Sequence, residues 1–413
     1  QVRVLVGPPP ICWMCDSRED VLKALTAYFG DRIQVVAFIV VVCFAAVLVL
    51  SSQSAASFPT YILALLTVYT LPKWNDVFHV RYLWMIVALV TYLALTSLWS
   101  RPPELRGVFS VSVRSVLIVT FVIAFAECQL RGQLQRWLVR ALSVVGSIAA
   151  IAAIVAFVVT DPADGRLHGL GQLDTHVVAA LVFGVVSIFV VRLLMDEERL
   201  PWRVFSLVSL MFLAAGVFLS DSRNAWVSIA TGVAVYLLSR ATPDRQRFLA
   251  SVAAAGIFGA VLLSGLLIDE ETRTLMMPRG DSFRVDIWTT TIARVFDGGF
   301  WFGLGILTPD EVVIGDLVFL HPHNLYLAVF HQGGFVGLAL FVMLLAATLT
   351  TLVYHYDNED AKLALGILGV ALPAYLLDGS ELIDKIGSTW FLIWLPVAIS
   401  LGLNWRSKFA PSV

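Results

Sequence analysis

Five of the chain's seven histidines, and several of its arginines, lie where apolar segments end. Ionisable groups at membrane depth are costly and tend to be kept for binding or chemistry. The densest group is His321-Pro322-His323-Asn324. Pro322 stiffens the approach, and a helix is expected to begin near His323 and to run through Tyr326, Leu327 and Phe330 before Gly333-Gly334 interrupts it. A histidine of near-neutral pKa beside a helix start suits removal of a proton from a hydroxyl. Two histidines one residue apart also suit a metal ion, but neither an H-x-x-x-H pair nor a carboxylate pair accompanies them in sequence, so no metal or other cofactor is expected. A plain core or interface histidine is the remaining alternative.

Three arginines share that side of the chain. Arg223 sits in Ser220-Asp221-Ser222-Arg223-Asn224, a very short turn between two apolar runs. It is either a solvated turn residue paired with Asp221 or an anion-binding arginine, because guanidinium grips phosphate oxygens in a bidentate fork. Arg284 opens Phe283-Arg284-Val285-Asp286-Ile287-Trp288. Pairing with Asp286 is geometrically poor, since residues two apart on a helix do not face each other, which leaves an exposed helix arginine or an anion contact. Arg166, in Gly165-Arg166-Leu167-His168-Gly169, is a third anion contact or part of a flexible glycine-rich loop. Asp378, Glu381, Asp384 and Lys385 form a charged loop that either pairs internally or rims an entrance.

The elements that position these residues follow from composition. Of 413 residues, 59% are apolar and only 14% are Asp, Glu, Lys or Arg. A soluble domain of this size cannot bury that much apolar side chain. The composition excludes a soluble enzyme, a disordered chain and a collagen-like fibre, and it predicts an all-α polytopic membrane protein. A net charge of −2 provides no bulk basic field for nucleic acid. Runs long enough to cross a bilayer occur at about 33–51, 58–71, 82–99, 108–126, 137–159, 176–194, 204–220, 225–239, 248–268, 333–353, 363–378 and 389–404, about 12 transmembrane helices in all. With both termini cytoplasmic, eighteen of the 28 Lys and Arg fall inside and nine outside, and four of those nine lie in one long loop. Arg114 lies inside the fourth run near its end, where snorkelling accounts for it.

That long loop spans 269–322 and is partly helical: Asp281 and Ser282 are placed to cap a helix carrying Val285, Trp288, Ile292 and Val295 on one face, ended by Gly298-Gly299. It is read as an external cap on the membrane surface. With no internal repeat or low-complexity linker, residues 1–413 read as a single integral-membrane domain. Cys12-x-x-Cys15 has no second pair to complete a zinc site and reads as incidental.

Taken together, phosphate-binding arginines and a basic histidine gather at the outer mouth of a helix bundle. Nucleotide donors are not normally available there, so a reaction needs a donor carrying its own leaving group, and a lipid diphosphate fits. Arginines would hold the diphosphate and stabilise its departure, and histidine would take the proton of an acceptor hydroxyl.

At these residues the sequence resembles the O-antigen ligase family, which shares a domain with the O-antigen polymerases. The family's pattern of His, then Asn, Ser or Gln, nine residues and Gly-x-x-Gly reads here as His323-Asn324, Leu325 to Gly333, and Gly334-Phe335-Val336-Gly337. Its Arg-x-x-x-Leu pattern reads as Arg223-Asn224-Ala225-Trp226-Val227, with Val for Leu. Arg284 and Arg166 also sit as in the family. The resemblance implies a metal-independent, inverting glycosyltransferase of the Gram-negative inner membrane, with its active site facing the periplasm. It would move O-antigen polysaccharide from undecaprenyl diphosphate to a lipid A–core sugar. His323 would be the general base and Arg223 and Arg284 the diphosphate clamps, with His321 and Asn324 supporting the base and Arg166 and Asp221 on the substrate side. A polymerase or a protein O-glycosyltransferase of the same superfamily is the alternative. A lipid-linked sugar transporter fits less well, because transporter sites lie near the bilayer midplane, often between repeated halves.

Overall fold

A computed structural model of the protein describes residues 32–50, 53–70, 74–102, 104–129, 132–173, 175–268 and 283–409. Cys12, Cys15, Asp281 and Ser282 lie outside them. An apolar chain in lipid must satisfy its backbone polar groups internally, and the described residues are mostly helical. The helices are α1 (Arg32–Val49), α2 (Gln53–Thr70), α3 (Trp74–Phe78), α4 (Arg81–Thr96), α5 (Leu105–Gln129), α6 (Gly132–Thr160), α7 (His176–Asp196) and α8 (Leu200–Leu219). They continue with α9 (Arg223–Ala241), α10 (Arg245–Ile268), α11 (Arg284–Gly298), α12 (Leu325–Tyr354), α13 (Glu359–Leu377) and, after a π-helical turn at Trp390–Trp394, α14 (Leu395–Phe409). Each of the twelve apolar runs falls on a helical segment. Among the described residues, six helices are long and apolar enough to cross a membrane: Leu105–Gln129, Arg136–Thr160, His176–Asp196, Leu200–Leu219, Leu325–Tyr354 and Glu359–Leu377.

The closest helix approach that matters for the site is between α9 and α13. A Cβ on Gly232 would lie 2.3 Å from Val370 Cγ2 and 2.6 Å from the Gly366 carbonyl, and one on Gly369 would lie 2.9 Å from Gly232 Cα. Small residues let helix backbones approach where lipid offers no hydrophobic drive for association. The two helices run antiparallel, so this contact brings the start of α9, with Arg223, level with the end of α13, with Asp378. Asn224 Nδ2 donates to the Ala374 carbonyl at 3.1 Å and fixes that alignment. At the other end ion pairs tie α9 and α13 to each other and to α7, and α6 to the end of α7. Arg192 meets Asp360 at 2.7 Å and Asp196 at 3.3 Å, Arg240 meets Asp196 at 2.9 Å and also Glu359, and Arg140 meets Glu197.

The expected interruption of α12 is present. Gly334 has φ 61° and ψ −161°, which only glycine adopts readily, and it breaks the helix. The freed backbone groups bond the segment after α11: Leu304 N donates to His331 O (2.8 Å), Gly305 N to Gln332 O (3.1 Å), Phe335 N to Phe300 O (2.7 Å) and Val336 N to Trp301 O (3.1 Å). Tyr92 of α4 closes the gap by donating to the Gly333 carbonyl at 2.7 Å. A Cβ on Gly334 would lie 2.4 Å from Gly303 N, so the segment can approach only because the side chain is missing.

The described part of the long loop holds α11 where a helix is expected. Its N-cap is Phe283, in the left-handed region and without a side-chain capping bond. The stretch that follows, mixed in sequence, forms a two-stranded antiparallel hairpin, β1 (Val312–Ile314) and β2 (Leu317–Phe319), with Val312 opposite Phe319. Ile287, Thr291 and Val295 are the buried face of α11.

Replacing Gly232 with Leu forces the α9–α13 contact apart. Overpacking of this kind costs about 1–3 kcal/mol, so Gly232→Leu is expected to lower the thermal midpoint of the purified protein and to reduce site function together. An unchanged midpoint in a tryptophan-fluorescence melt would show that the contact is not tight.

Candidate functional site

Asn324 builds the centre of the site. Its Oδ1 accepts from the N–H groups of Tyr326 (3.0 Å) and Leu327 (3.1 Å), capping α12. Its Nδ2 donates to the Leu376 carbonyl at 3.0 Å, and Leu325 N donates to the Asp378 carbonyl at 3.2 Å. One asparagine therefore satisfies helix-end donors of α12 and a helix-end acceptor of α13. The residue before it, His323, is held at φ 49°, and its Nδ1 lies 3.3 Å from Asp378 Oδ1. With Nδ1 on the carboxylate, Nε2 is the nitrogen left to accept a proton.

His321 supports this turn. Its Nδ1 accepts the His323 backbone N–H at 3.2 Å, and the two rings are 4.0 Å apart. Burial and the adjacent His323 hold His321 below the ordinary histidine range, which keeps the accepting nitrogen unprotonated. Burial works to raise Asp378, but the His323 hydrogen bond and the Gly379 N–H outweigh it and hold the carboxyl below its usual range. A depressed carboxylate pKa gives a contact that is fully present above the ordinary carboxylate range and lost only as pH falls through the lower folded value. The pair therefore persists at neutral and mildly acidic pH from the carboxylate side.

The arginines arrive from three other segments. Trp288 Nε1 donates to the Pro322 carbonyl at 3.1 Å, pinning α11 to the histidine turn. Arg284 is one turn earlier on the same helix face, and its Nε is buried without a hydrogen-bond partner among the described residues. A buried unsatisfied donor is expensive, and an anion would relieve it. Arg223 is the exposed first residue of α9, behind the Ser222 cap, whose hydroxyl accepts from Ala225 N at 3.3 Å. Helix N-termini favour anions. Trp226 stacks on Phe218 and bonds the Val217 carbonyl, which stiffens the turn into α9.

Arg166 is pinned, with one guanidinium nitrogen 3.2 Å from His176 Nε2 and another 3.6 Å from Asp221 Oδ2. Its loop docks through Leu167 N to the Leu219 carbonyl and Gln172 N to the Val47 carbonyl, so it is not a free glycine-rich loop. Asp221 thus pairs with Arg166, a partner far away in sequence. His168 bonds Asp164 at 2.8 Å, and Asp378 is near enough to act electrostatically on His176.

The fold therefore collects His321, His323, Asn324, Arg223, Arg284, Arg166 and Asp221 at one end of the bundle. It adds Asp378, which sequence reasoning assigned only to a charged loop. The signal for it was its place at the outer end of the run 363–378, opposite the short turn that carries Arg223. The carboxylates missing beside the histidines in sequence are supplied in space: the ligand atoms of His321, His323 and Asp378, and those of Asp164, His168 and His176, lie within 4.8 Å of one another in each set.

Fold and site define a mostly helical polytopic membrane protein with a histidine–carboxylate pair and arginines at one helix-bundle end. Residues 207–342, from α8 through the histidine turn to the broken α12, match the family model described as O-antigen ligase. The chain is also similar to the O-antigen ligase of Pseudomonas aeruginosa, 27% identical over 329 residues that cover 79% of this chain and 78% of that protein. Both comparisons carry the name of the family that the sequence resembles at His323-Asn324 and Gly334-x-x-Gly337.

Asp378→Asn replaces the carboxylate that faces His323 Nδ1 and, if the pair takes part in the chemistry, is expected to lower turnover roughly 10²–10⁴-fold. Asn324→Ala is expected to cost about 1 kcal/mol in helix capping and to loosen the His323–Asp378 pair as well. Single-turnover rates and melting curves of the two variants separate these effects: a normal rate in Asp378→Asn would remove the pair from the chemistry.

Proposed function

We propose that the protein is an O-antigen ligase of the Gram-negative inner membrane, transferring polysaccharide from undecaprenyl diphosphate to a sugar hydroxyl of lipid A–core. The observation that carries this reading is the His323–Asp378 pair, held beside two helix starts that each present an arginine. His323 Nε2 takes the proton of the acceptor hydroxyl as that oxygen bonds the anomeric carbon of the donor sugar. The anomeric carbon–oxygen bond to the diphosphate breaks on the opposite face, inverting the configuration, and undecaprenyl diphosphate leaves with the bonding electron pair. Asp378 stabilises the imidazolium that forms. Arg223 and Arg284 meet the charge building on the diphosphate, the work a divalent ion does elsewhere, so the transfer needs no metal. Arg166, tied to Asp221 and His176, keeps the turn before Arg223 in place and faces the substrate side.

The similarity to an O-antigen ligase and the excess of Lys and Arg in the opposite loops support an arrangement with about twelve membrane helices, both termini cytoplasmic and this site in the periplasm. The 269–322 loop then caps the periplasmic mouth.

The test is reconstitution with lipid-linked polysaccharide and lipid A–core, with EDTA and without nucleotide. A ladder of modified lipid A–core is expected. His323→Ala should abolish it, while Arg223→Ala and Arg284→Ala should each slow it roughly 10²–10³-fold. Longer chains that stay on the carrier lipid, with lipid A–core untouched, would mean a polymerase instead. A ladder that EDTA erases and a divalent ion restores would overturn the metal-free mechanism.

A further inference from the structure

A second set of metal-type ligands stands apart from the His323–Asp378 pair and plays no part in the transfer step above. It lies in the loop between α6 and α7 and at the first residue of α7. One ligand atom each from Asp164, His168 and His176 lie within 4.8 Å of one another. His168 Nε2 is 2.8 Å from Asp164 Oδ2, and the two imidazole rings meet edge to face with centroids 5.8 Å apart. Asp164 Oδ1 accepts the Arg166 backbone N–H at 3.2 Å, which fixes the carboxylate and leaves Oδ2 to face His168. The loop itself is fastened. Gly165 N donates to the Pro162 carbonyl at 2.8 Å, Leu167 N to the Leu219 carbonyl at 2.9 Å and Gln172 N to the Val47 carbonyl at 2.8 Å. Thr175 caps α7 by accepting from Val178 N at 3.2 Å, which holds His176 at the helix start.

Two imidazoles and one carboxylate suit a borderline divalent ion such as Zn²⁺, whereas Mg²⁺ and Ca²⁺ take oxygen ligands. Zinc bonds of about 2.0–2.1 Å to nitrogen and oxygen place neighbouring ligand atoms of a tetrahedron about 3.3 Å apart. The set is already within reach of that spacing, and the His168 and Asp164 side chains are partly exposed, so they have room to close on an ion. Water would complete the fourth position. What holds His176 in this structure is Arg166, whose guanidinium nitrogen lies 3.2 Å from His176 Nε2. Guanidinium only donates, so Nε2 is the accepting nitrogen and offers the same lone pair that an ion would take. The two contacts are mutually exclusive. Arg166 has a second partner in Asp221 at 3.6 Å, which it keeps on giving up His176.

We propose that Asp164, His168 and His176 form a binding site for a zinc-class divalent ion, and that the ion competes with Arg166 for His176. Occupancy would release the Arg166 side chain from α7 and leave it tied to Asp221 alone. The ion would thus act on the turn before Arg223 without touching the reacting atoms.

The proposal rests on the geometry of this loop and not on the transferase reading, and its test contains no transfer step. Tag-free full-length protein in detergent is stripped with EDTA, freed of the chelator and titrated with zinc chloride by isothermal calorimetry. The titration is done in the His323→Ala background, which dismantles the other histidine–carboxylate set. One zinc ion per chain should bind, undisturbed by a large excess of Mg²⁺. His168→Ala and His176→Ala should each weaken binding about tenfold or more, while His168→Cys, which keeps a zinc ligand, should restore most of it. Arg166→Ala should instead tighten binding about tenfold, because it removes the competing guanidinium. Where His168→Ala does not stay monodisperse, the His168→Cys and Arg166→Ala titrations decide. No bound zinc, zinc bound unchanged by a monodisperse His168→Ala variant, or zinc displaced equally well by Mg²⁺ overturns the proposal, and the cluster then serves only to hold Arg166.

Discussion

The site depends on how two helix ends answer each other's unmet hydrogen bonds. A helix leaves its first N–H groups and last C=O groups without intrahelical partners, and near lipid such groups are expensive. At the end of α13 the Leu376 and Asp378 carbonyls are met by Asn324 Nδ2 and Leu325 N, while Asn324 Oδ1 meets the first N–H groups of α12. The two ends are therefore locked side by side, and the residues just outside them, His323 and Asp378, have little choice but to face each other at 3.3 Å. The geometry of this pair follows from ordinary helix capping between two chain segments more than fifty residues apart.

A second junction works on the same principle. Breaking α12 at Gly334 frees backbone groups that would be stranded, and the Phe300–Gly305 segment supplies their partners. The break therefore anchors the loop after α11, and through it the helix that holds Arg284. The glycines of the Gly334-x-x-Gly337 motif acquire a structural meaning here. Gly334 supplies the backbone conformation and the open space for Gly303, and Gly337 leaves room for Tyr92 and Leu93 of α4. His323 and Gly334 thus lie at the two ends of one short helical piece, one facing Asp378 and the other fastening the segment after α11.

The two ends of the bundle use charge differently. Arg192, Arg240 and Arg140 are each matched to carboxylates, a network that ties helices together. At the His323 end Arg223 stands exposed on a helix start, and Nε of Arg284 is a buried donor without a hydrogen-bond partner among the described residues.

Much of this was legible in the sequence. Apolar runs favour helices because a helix bonds its backbone groups within the segment, and Asn before a helix, glycine pairs and an arginine in a tight turn have local meanings. The twelve helical segments, the interruption near Gly334, α11, and the group His321, His323, Asn324, Arg223 and Arg284 follow from such local rules. What only the tertiary structure decided was pairing across the chain. Asp378 became the partner of His323 because the α9–α13 glycine contact and the Asn324 cap set the register of three helices. Arg166 became the partner of Asp221 because its loop hydrogen-bonds the ends of α1 and α8. Hydrogen-bond partners separated by fifty residues or more are chosen by helix packing, and helix packing depends on the shapes of faces that no single stretch of sequence contains.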